Sequence, residues 1–309
     1  MIDKLRLCFK AESALLESLA DIEIGEVVYF NDVALVRVYE DDAYHNVYYI
    51  HQINDNANLD YWGKFKFNLK IGGIQGNSFK DGRPKSWVSV DNRILYNCQR
   101  LRFIYTIEKK LRLVINNITQ LDLCVDVGFN ISKSIKKRLH DKDTYTILNG
   151  NIIHDRKADR PEITYDFSGT LDQQLKYLTV YIKQLNSARN KNKGLTVCSY
   201  NKKHEIEKIS SKKYILDYYG NPKTLHRLEV RIDSENASTY FKKRSVPLSL
   251  DFLFDQSVLD EMYYHFLDRV IRFRRGAKRV IPWKSILDKV NDKHPSQGKE
   301  LTVKSNQVN

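Results

Sequence analysis

Along the first third of the chain, apolar and polar positions alternate in short runs separated by clusters of Asn, Asp and Gly, a pattern that predicts antiparallel strands. These strands fall over residues 5–9, 26–30, 34–39, 61–70 and 87–90, where Val, Tyr, Phe and Trp are frequent. Helical spacing replaces alternation at 11–20, through Leu15, Leu16 and Leu19, and at 98–113, where Leu101, Ile104, Tyr105 and Leu111 share one stripe. Further on, the pattern predicts a strand at 118–127, a basic helix at 131–139, a helix at 171–185, an exposed loop at 186–194, and strands at 195–200 and 225–232. A long amphipathic helix at 248–270 then runs into a basic segment, and the polar stretch from 291 is expected to be disordered. Residues 141–162 carry no clear period.

This succession predicts an α+β fold. It reads as mainly antiparallel sheet in two related sheet-helix halves, with helices packed on one face and a basic C-terminal helix. The expected divisions are 1–114, 115–290 and a tail at 291–309.

Composition narrows the partners. With 309 residues, 42% of them apolar, the chain has ample material for a core, and 51 Lys plus Arg against 38 Asp plus Glu leave a net charge of +13. Such an excess favours a polyanionic partner. Apolar runs are interrupted well before the roughly 20 residues of a membrane span, and the first residues lack a signal-peptide core. Cys8, Cys98, Cys124 and Cys198 lie far apart without a CxxC pair, which points away from zinc or disulfides and towards a reducing cytoplasm.

Strand parity sorts the candidate chemistry, because successive side chains point to opposite faces. Leu121, Leu123, Val125 and Val127 share one face of their strand, leaving Asp122, Cys124 and Asp126 on the other. Leu228, Val230 and Ile232 likewise separate from Arg227, Glu229 and Arg231. In the third strand Leu195 and Val197 oppose Thr196, Cys198, Tyr200 and Lys202. If these strands are neighbours, one face gathers carboxylates, guanidiniums, a lysine and a tyrosine suited to phosphodiester chemistry. Mg²⁺ or Mn²⁺ takes carboxylate oxygens and bridges to phosphate, and a tyrosine activated by Lys202 or the ion can attack phosphorus. A solvated face of cross-strand ion pairs gives the same alternation, and parity does not choose between the two.

Three segments, in order, resemble the Rep_trans replication initiation factors, the rolling-circle initiators of small plasmids and some filamentous phages. Residues 118–126 (ITQLDLCVD) are similar to that family's Arg-Leu-Asp strand, 197–202 (VCSYNK) to its Tyr-Asp-Lys segment, and 226–231 (HRLEVR) to its Arg-x-Glu strand. Weaker similarity lies at 88–96 and at Ile281, Pro282 and Trp283. The resemblance implies an endonuclease that nicks one strand at a plasmid or phage origin through a 5′-phosphotyrosyl intermediate, leaving a 3′-hydroxyl primer. By position Tyr200 would be the nucleophile, Asp122, Asp126 and Glu229 the ligands of Mg²⁺ or Mn²⁺, and Lys202, Arg227 and Arg231 the phosphate groups. Gln120 stands where the family usually has Arg, and Tyr214, Tyr218 and Tyr219 are competing tyrosines. Origin DNA, double-stranded with a single-stranded nick region, a host helicase and a homodimer are the partners implied; no membrane is.

Other chemistries find less support. His51, His154 and His226 are isolated rather than paired, and Gly72 to Gly76 lacks the ending of a phosphate-cradling P-loop. Arg269, Arg272, Arg274, Arg275, Lys278 and Arg279, with Phe273 among them, exceed what a helix C-terminus needs to offset its dipole. Contacts to DNA phosphates are expected there, and a second basic element is Arg189, Lys191 and Lys193. The alternative to a nickase is a non-enzymatic protein that binds an origin or operator on the same scaffold.

Overall fold

In the computed structural model, the described residues are 1–30, 32–39, 46–53, 58–67, 83–96, 101–153, 160–167, 176–186, 191–245, 248–276 and 279–288. The fold is mixed α+β, dominated by antiparallel sheet. The chain divides into two compact units, one of residues 2–121 with 233–256, the other of Met1, 122–232 and 257–309.

The unit that opens the chain contains β1 (Ile2–Lys10), α1 (Ser13–Ala20), β2 (Val27–Phe30), β3 (Val33–Val38), β4 (Asn46–Ile53), β5 (Leu59–Phe67) and β6 (Lys85–Val90). After α2 (Asn92–Leu95) and α3 (Phe103–Lys110), it takes the first eight residues of β7 (Val114–Val127). Its strands run β7-β1-β6-β5-β4-β3-β2. Alternation decides which face is buried: Leu5, Leu7 and Phe9 of β1, Val88 of β6 and Phe65 and Phe67 of β5 are fully enclosed. Helix α1 adds Leu16 and Leu19 to that core, and the hydroxyl of the buried Tyr48 donates to the Leu19 carbonyl. Arg37 donates to the carbonyls of Ala20 and Ile22, satisfying acceptors that the end of α1 leaves open. β5 carries a bulge opposite Ile50 and His51, next to Gly63. A Cβ at Gly63 would overlap the Ser89 carbonyl of β6, so only glycine allows that approach.

The other unit holds the last six residues of β7, followed by α4 (Ile131–His140), β8 (Thr144–Leu148), β9 (Asn151–Ile152), β10 (Ile163–Asp166), β11 (Thr179–Asn186) and β12 (Lys191–Asn201). α5 (Lys202–Glu205), a π-helical turn at Ile206–Ser210 and α6 (Lys213–Tyr218) lead into β13 (His226–Asp233). α7 (Ser234–Lys243) and a 3-10 turn at Leu250–Leu253 belong to the first unit. α8 (Gln256–Val270), β14 (Ile271–Arg275), β15 (Arg279–Ile281) and α9 (Trp283–Asp288) then complete the second. Its strands run β10-β11-β12-β13-β7, with a second sheet ordered β15-β14-β8-β9. α4 buries Ile131, Ile135 and Leu139, and Tyr263 of α8 donates to the Leu228 carbonyl of β13 at 3.2 Å.

Several expectations are corrected. The helix predicted at 171–185 is replaced, where it is described, by β11, because Leu178, Val180 and Ile182 are buried at every second position. Of the loop expected at 186–194, the described residues belong to paired strands, with Asn186 opposite Lys191 and Leu185 opposite Asn192, and 187–190 lie outside the described residues. The helix at 248–270 begins only at Gln256, and the basic segment is not helical. β14 buries Ile271 and Phe273 against β8 and carries Arg272, Arg274 and Arg275 on a hairpin with β15, so among the described residues of that cluster Arg269 alone lies in the helix. The expected tail at 291–309 lies outside the described residues. No helix among the described residues is long and apolar enough to cross a membrane.

Candidate functional site

The three strands singled out by parity are neighbours, in the order β12-β13-β7. Antiparallel register sets Tyr200 opposite Arg227, Cys198 opposite Glu229 and Thr196 opposite Arg231. Contacts from β13 to β7 place Asp126 and Asp122 on the same face: Arg227 binds Asp126 directly, and Asp122 acts electrostatically on Arg231.

One end of this face is closed. Arg227 grips Asp126 with both arms of its fork, Nε to Oδ1 at 2.7 Å and an η-nitrogen to Oδ2 at 2.6 Å. Both side chains are 0% exposed. The hydroxyl of Tyr219, just past α6, donates to the same Oδ2 at 3.0 Å. Burial and then Asp126 push the Tyr219 phenol far above its ordinary pKa, which removes it as a nucleophile near neutral pH. Arg227 and Asp126 are therefore a desolvated pair that orders the sheet rather than groups presented to a substrate.

The other end is open. Tyr200 is half-buried, and its hydroxyl donates to Oε2 of Glu229 at 3.0 Å. Arg231 donates from Nε to Oε1 of the same carboxylate at 2.6 Å, while 44% of its side chain remains exposed. Burial works against the Arg231 charge, but Glu229 and, more weakly, Asp122 outweigh it and hold the guanidinium protonated. The ammonium of Lys202 lies 5.7 Å from the centre of the Tyr200 ring and 2.7 Å from Glu205. Lys202 is only 2% exposed, so it acts on Tyr200 through space and is not offered to solvent. Cys198, beside Glu229, is raised to about 12 by burial and by that carboxylate, which leaves it a protonated thiol.

As arranged, two of the three carboxylates, Asp126 and Glu229, have both oxygens engaged and are not turned to a divalent ion. Both oxygens of Asp126 accept from Arg227, both oxygens of Glu229 are taken by Tyr200 and Arg231, and Asp122 lies in the field of the same arginine. No group of three His, Cys, Asp or Glu disposed to hold a metal occurs among the described residues.

The basic elements fall into two places. Arg275 and Arg279, both exposed, face Lys137 and Arg138 of α4 across a cleft of about 420 Å³ that Ser134 and Ser285 also line. Asp141 is its carboxylate, and it accepts from Thr144 at 2.7 Å. The sequence pattern marked α4 as basic but gave no reason to join it to the 269–279 segment, since that meeting depends on the hairpin. Arg272 and Arg274 alternate with Ile271 and Phe273 along β14. Lys191 and Lys193 begin β12, and Arg189 and Lys278 lie outside the described residues.

Comparison with known protein families, with curated proteins and with solved structures gives no match to this chain.

Proposed function

We propose that this chain is a Rep_trans-type rolling-circle replication initiator, a cytoplasmic nickase that cuts one strand of a plasmid or phage origin through Tyr200. The observation that carries this reading is the hydrogen bond from Tyr200 to Glu229, with Arg231 on the other oxygen of that carboxylate. A nucleophile, a proton acceptor and a group that orients the acceptor stand in sequence, as covalent catalysis requires. In the step proposed, the phenolic oxygen bonds to phosphorus and its proton passes to Glu229. The bond from phosphorus to the 3′ oxygen breaks, and that oxygen leaves as a hydroxyl after taking a proton from water. Arg231, exposed and charged, stabilises the negative phosphate oxygens, and the Lys202 ammonium lies 5.7 Å from the Tyr200 ring.

The oxygens of Asp126 and Glu229 accept from Arg227, Arg231 and Tyr200, so no step of this reading is routed through Mg²⁺ or Mn²⁺, which Asp122, Asp126 and Glu229 would hold only after those contacts rearrange. Duplex origin DNA is assigned to the cleft of Lys137, Arg138, Arg275 and Arg279. A host helicase and a second copy of the chain are the partners this reading brings with it, and it treats the two units as related sheet-helix halves. The second reading, a DNA-binding protein without catalysis, is favoured by the ion pairs that fill the carboxylate face. Incubation with supercoiled origin DNA, with and without Mg²⁺ and Mn²⁺, separates the two. A nicked circle bearing protein on its 5′ end supports the nickase; tight binding with no cleavage under any condition supports the second reading.

A further inference from the structure

The cleft between α4 and the β14–β15 hairpin lies within one unit and gathers positive charge that its surroundings do not offset. Arg275 and Arg279 stand directly opposite each other in the hairpin register, which brings their Cβ atoms to about 5 Å. Like charges so placed repel. Lys137 faces the same space from α4, one turn after Ser134. All three side chains are exposed, and none has an ion-pair partner or a side-chain hydrogen bond among the described residues. Arg138 is a fourth cation, anchored by donation to the Ser134 carbonyl at 3.1 Å. The cleft's carboxylate is turned to its own loop: Asp141 accepts from the Thr144 hydroxyl at 2.7 Å with one oxygen and from the Asp143 amide at 3.2 Å with the other. Val280, Ile281 and Pro282 supply an apolar wall.

These features select the ligand. Three unpaired cations with a fourth beside them, focused on about 420 Å³, suit an anion that concentrates several charges in a small volume. A nucleic-acid strand carries only one charge per nucleotide, strung along its outside. The di- or triphosphate of a nucleotide places several charges on adjoining phosphates, and guanidinium forks bind phosphate oxygens in pairs. An apolar wall beside the cations gives the sugar and base a surface to lie on. The cleft's volume falls within the roughly 300 to 1,000 Å³ usual for small-ligand sites.

We propose that this cleft binds the di- or triphosphate of a free nucleotide, with Lys137, Arg275 and Arg279 on the phosphates and Ile281 and Pro282 against the nucleoside, and that the bound nucleotide excludes duplex DNA. The exclusion rests on the assignment of duplex DNA to this cleft under the proposed function; nucleotide binding rests on the cleft alone.

The test titrates the full chain with ATP, ADP, AMP and inorganic tripolyphosphate by calorimetry, in EDTA at low salt. Affinity is expected to rise from AMP through ADP to ATP, and ATP should bind more tightly than tripolyphosphate because of the apolar wall. Arg275→Ala with Arg279→Ala, and Lys137→Ala separately, should each weaken ATP binding roughly tenfold or more, as loss of a hydrogen bond to a charged group would give. Lys208→Ala with Lys213→Ala removes two exposed lysines outside the cleft and should leave ATP affinity at the parent value. No ATP binding, equal affinity for AMP and ATP, or parent-like affinity in the folded cleft variants would each overturn the site. Tripolyphosphate bound as tightly as ATP would overturn the assignment to a nucleotide. ATP is expected to weaken binding of a mixed-sequence duplex in proportion to its own occupancy, and parent-like duplex affinity at saturating ATP would overturn the exclusion. Nicking enters none of these measurements, so a chain that never cuts origin DNA can still pass them, and a failed titration leaves Tyr200 untouched.

Discussion

Tyr200 and Glu229 meet on the diagonal of the sheet. The phenol donates to the carboxylate at 3.0 Å, although the backbone partner of Tyr200 is Arg227 and that of Glu229 is Cys198. The contact exists because Arg227 turns to Asp126 and leaves Glu229 as the acceptor within reach of Tyr200. Tyr200→Phe should therefore abolish the covalent adduct with origin DNA while changing stability by about 1 kcal/mol, the net worth of one hydrogen bond. Glu229→Gln should keep the nucleophile and slow nicking by roughly 10² to 10⁴, the usual contribution of a positioned base. Denaturing gels and melting curves read both outcomes; an adduct in Tyr200→Phe would move the nucleophile elsewhere.

Asp126 and Arg227 predict a different phenotype. Asp126→Asn strands a buried guanidinium and should cost about 3 to 5 kcal/mol in urea unfolding, with or without Mg²⁺. The double substitution Asp126→Leu and Arg227→Met should recover much of that loss. A stable Asp126→Asn protein that needs more metal to act would instead make Asp126 a ligand.

His226 gives a pH prediction. Burial lowers its pKa from 6.5 to about 4, so the folded chain holds it neutral while the unfolded chain takes up a proton first on acidification. Its contribution is complete above pH 6.5 and is lost as pH falls towards about 4, an effect on the order of 3 kcal/mol. Unfolding measured across that window should steepen with acid, and His226→Asn should remove part of the slope. An identical slope in the variant would assign it to other groups.

The cleft formed by α4 and the β14–β15 hairpin predicts a salt effect. Replacing Lys137, Arg275 and Arg279 with Ala should weaken origin and unrelated duplex DNA alike and reduce the slope of log affinity against log salt by about 0.9 per contact removed. Loss confined to the origin sequence would mean that one of these side chains reads a base edge. Unchanged affinity in a folded variant would detach duplex binding from this cleft.

Much of the sheet was legible because apolar and polar residues alternate along its strands, as at 87–90, 118–127 and 225–232, although in the last two the polar face is buried as well. The segment 171–185 misled because Leu171, Leu175, Leu178 and Ile182 satisfy helical spacing, while Leu178, Val180 and Ile182 equally satisfy a strand. A basic C-terminal helix is what the helical spacing up to 270 suggests, whereas Ile271 and Phe273 alternate with arginine and belong to β14. Parity gathered Asp122, Asp126 and Glu229 onto one face but could not say which guanidinium each would meet. That choice depends on register between strands some hundred residues apart, and it separates a closed ion pair from an open site.

The placement of residues 233–256 with 2–121 governs how this chain can acquire its structure. α7 and the 3-10 turn supply buried Ala237, Tyr240, Phe241, Leu250 and Phe252 to the first unit, so that unit lacks part of its core until most of the protein has left the ribosome. Early folding in order of synthesis, available to domains made of one continuous segment, is closed to it. The contacts that complete it span long sequence separations, which slows folding and keeps apolar surface exposed to aggregation in the meantime. A fragment ending at 121 inherits the same deficiency permanently, whereas supplying 233–256 as a separate peptide should restore its solubility.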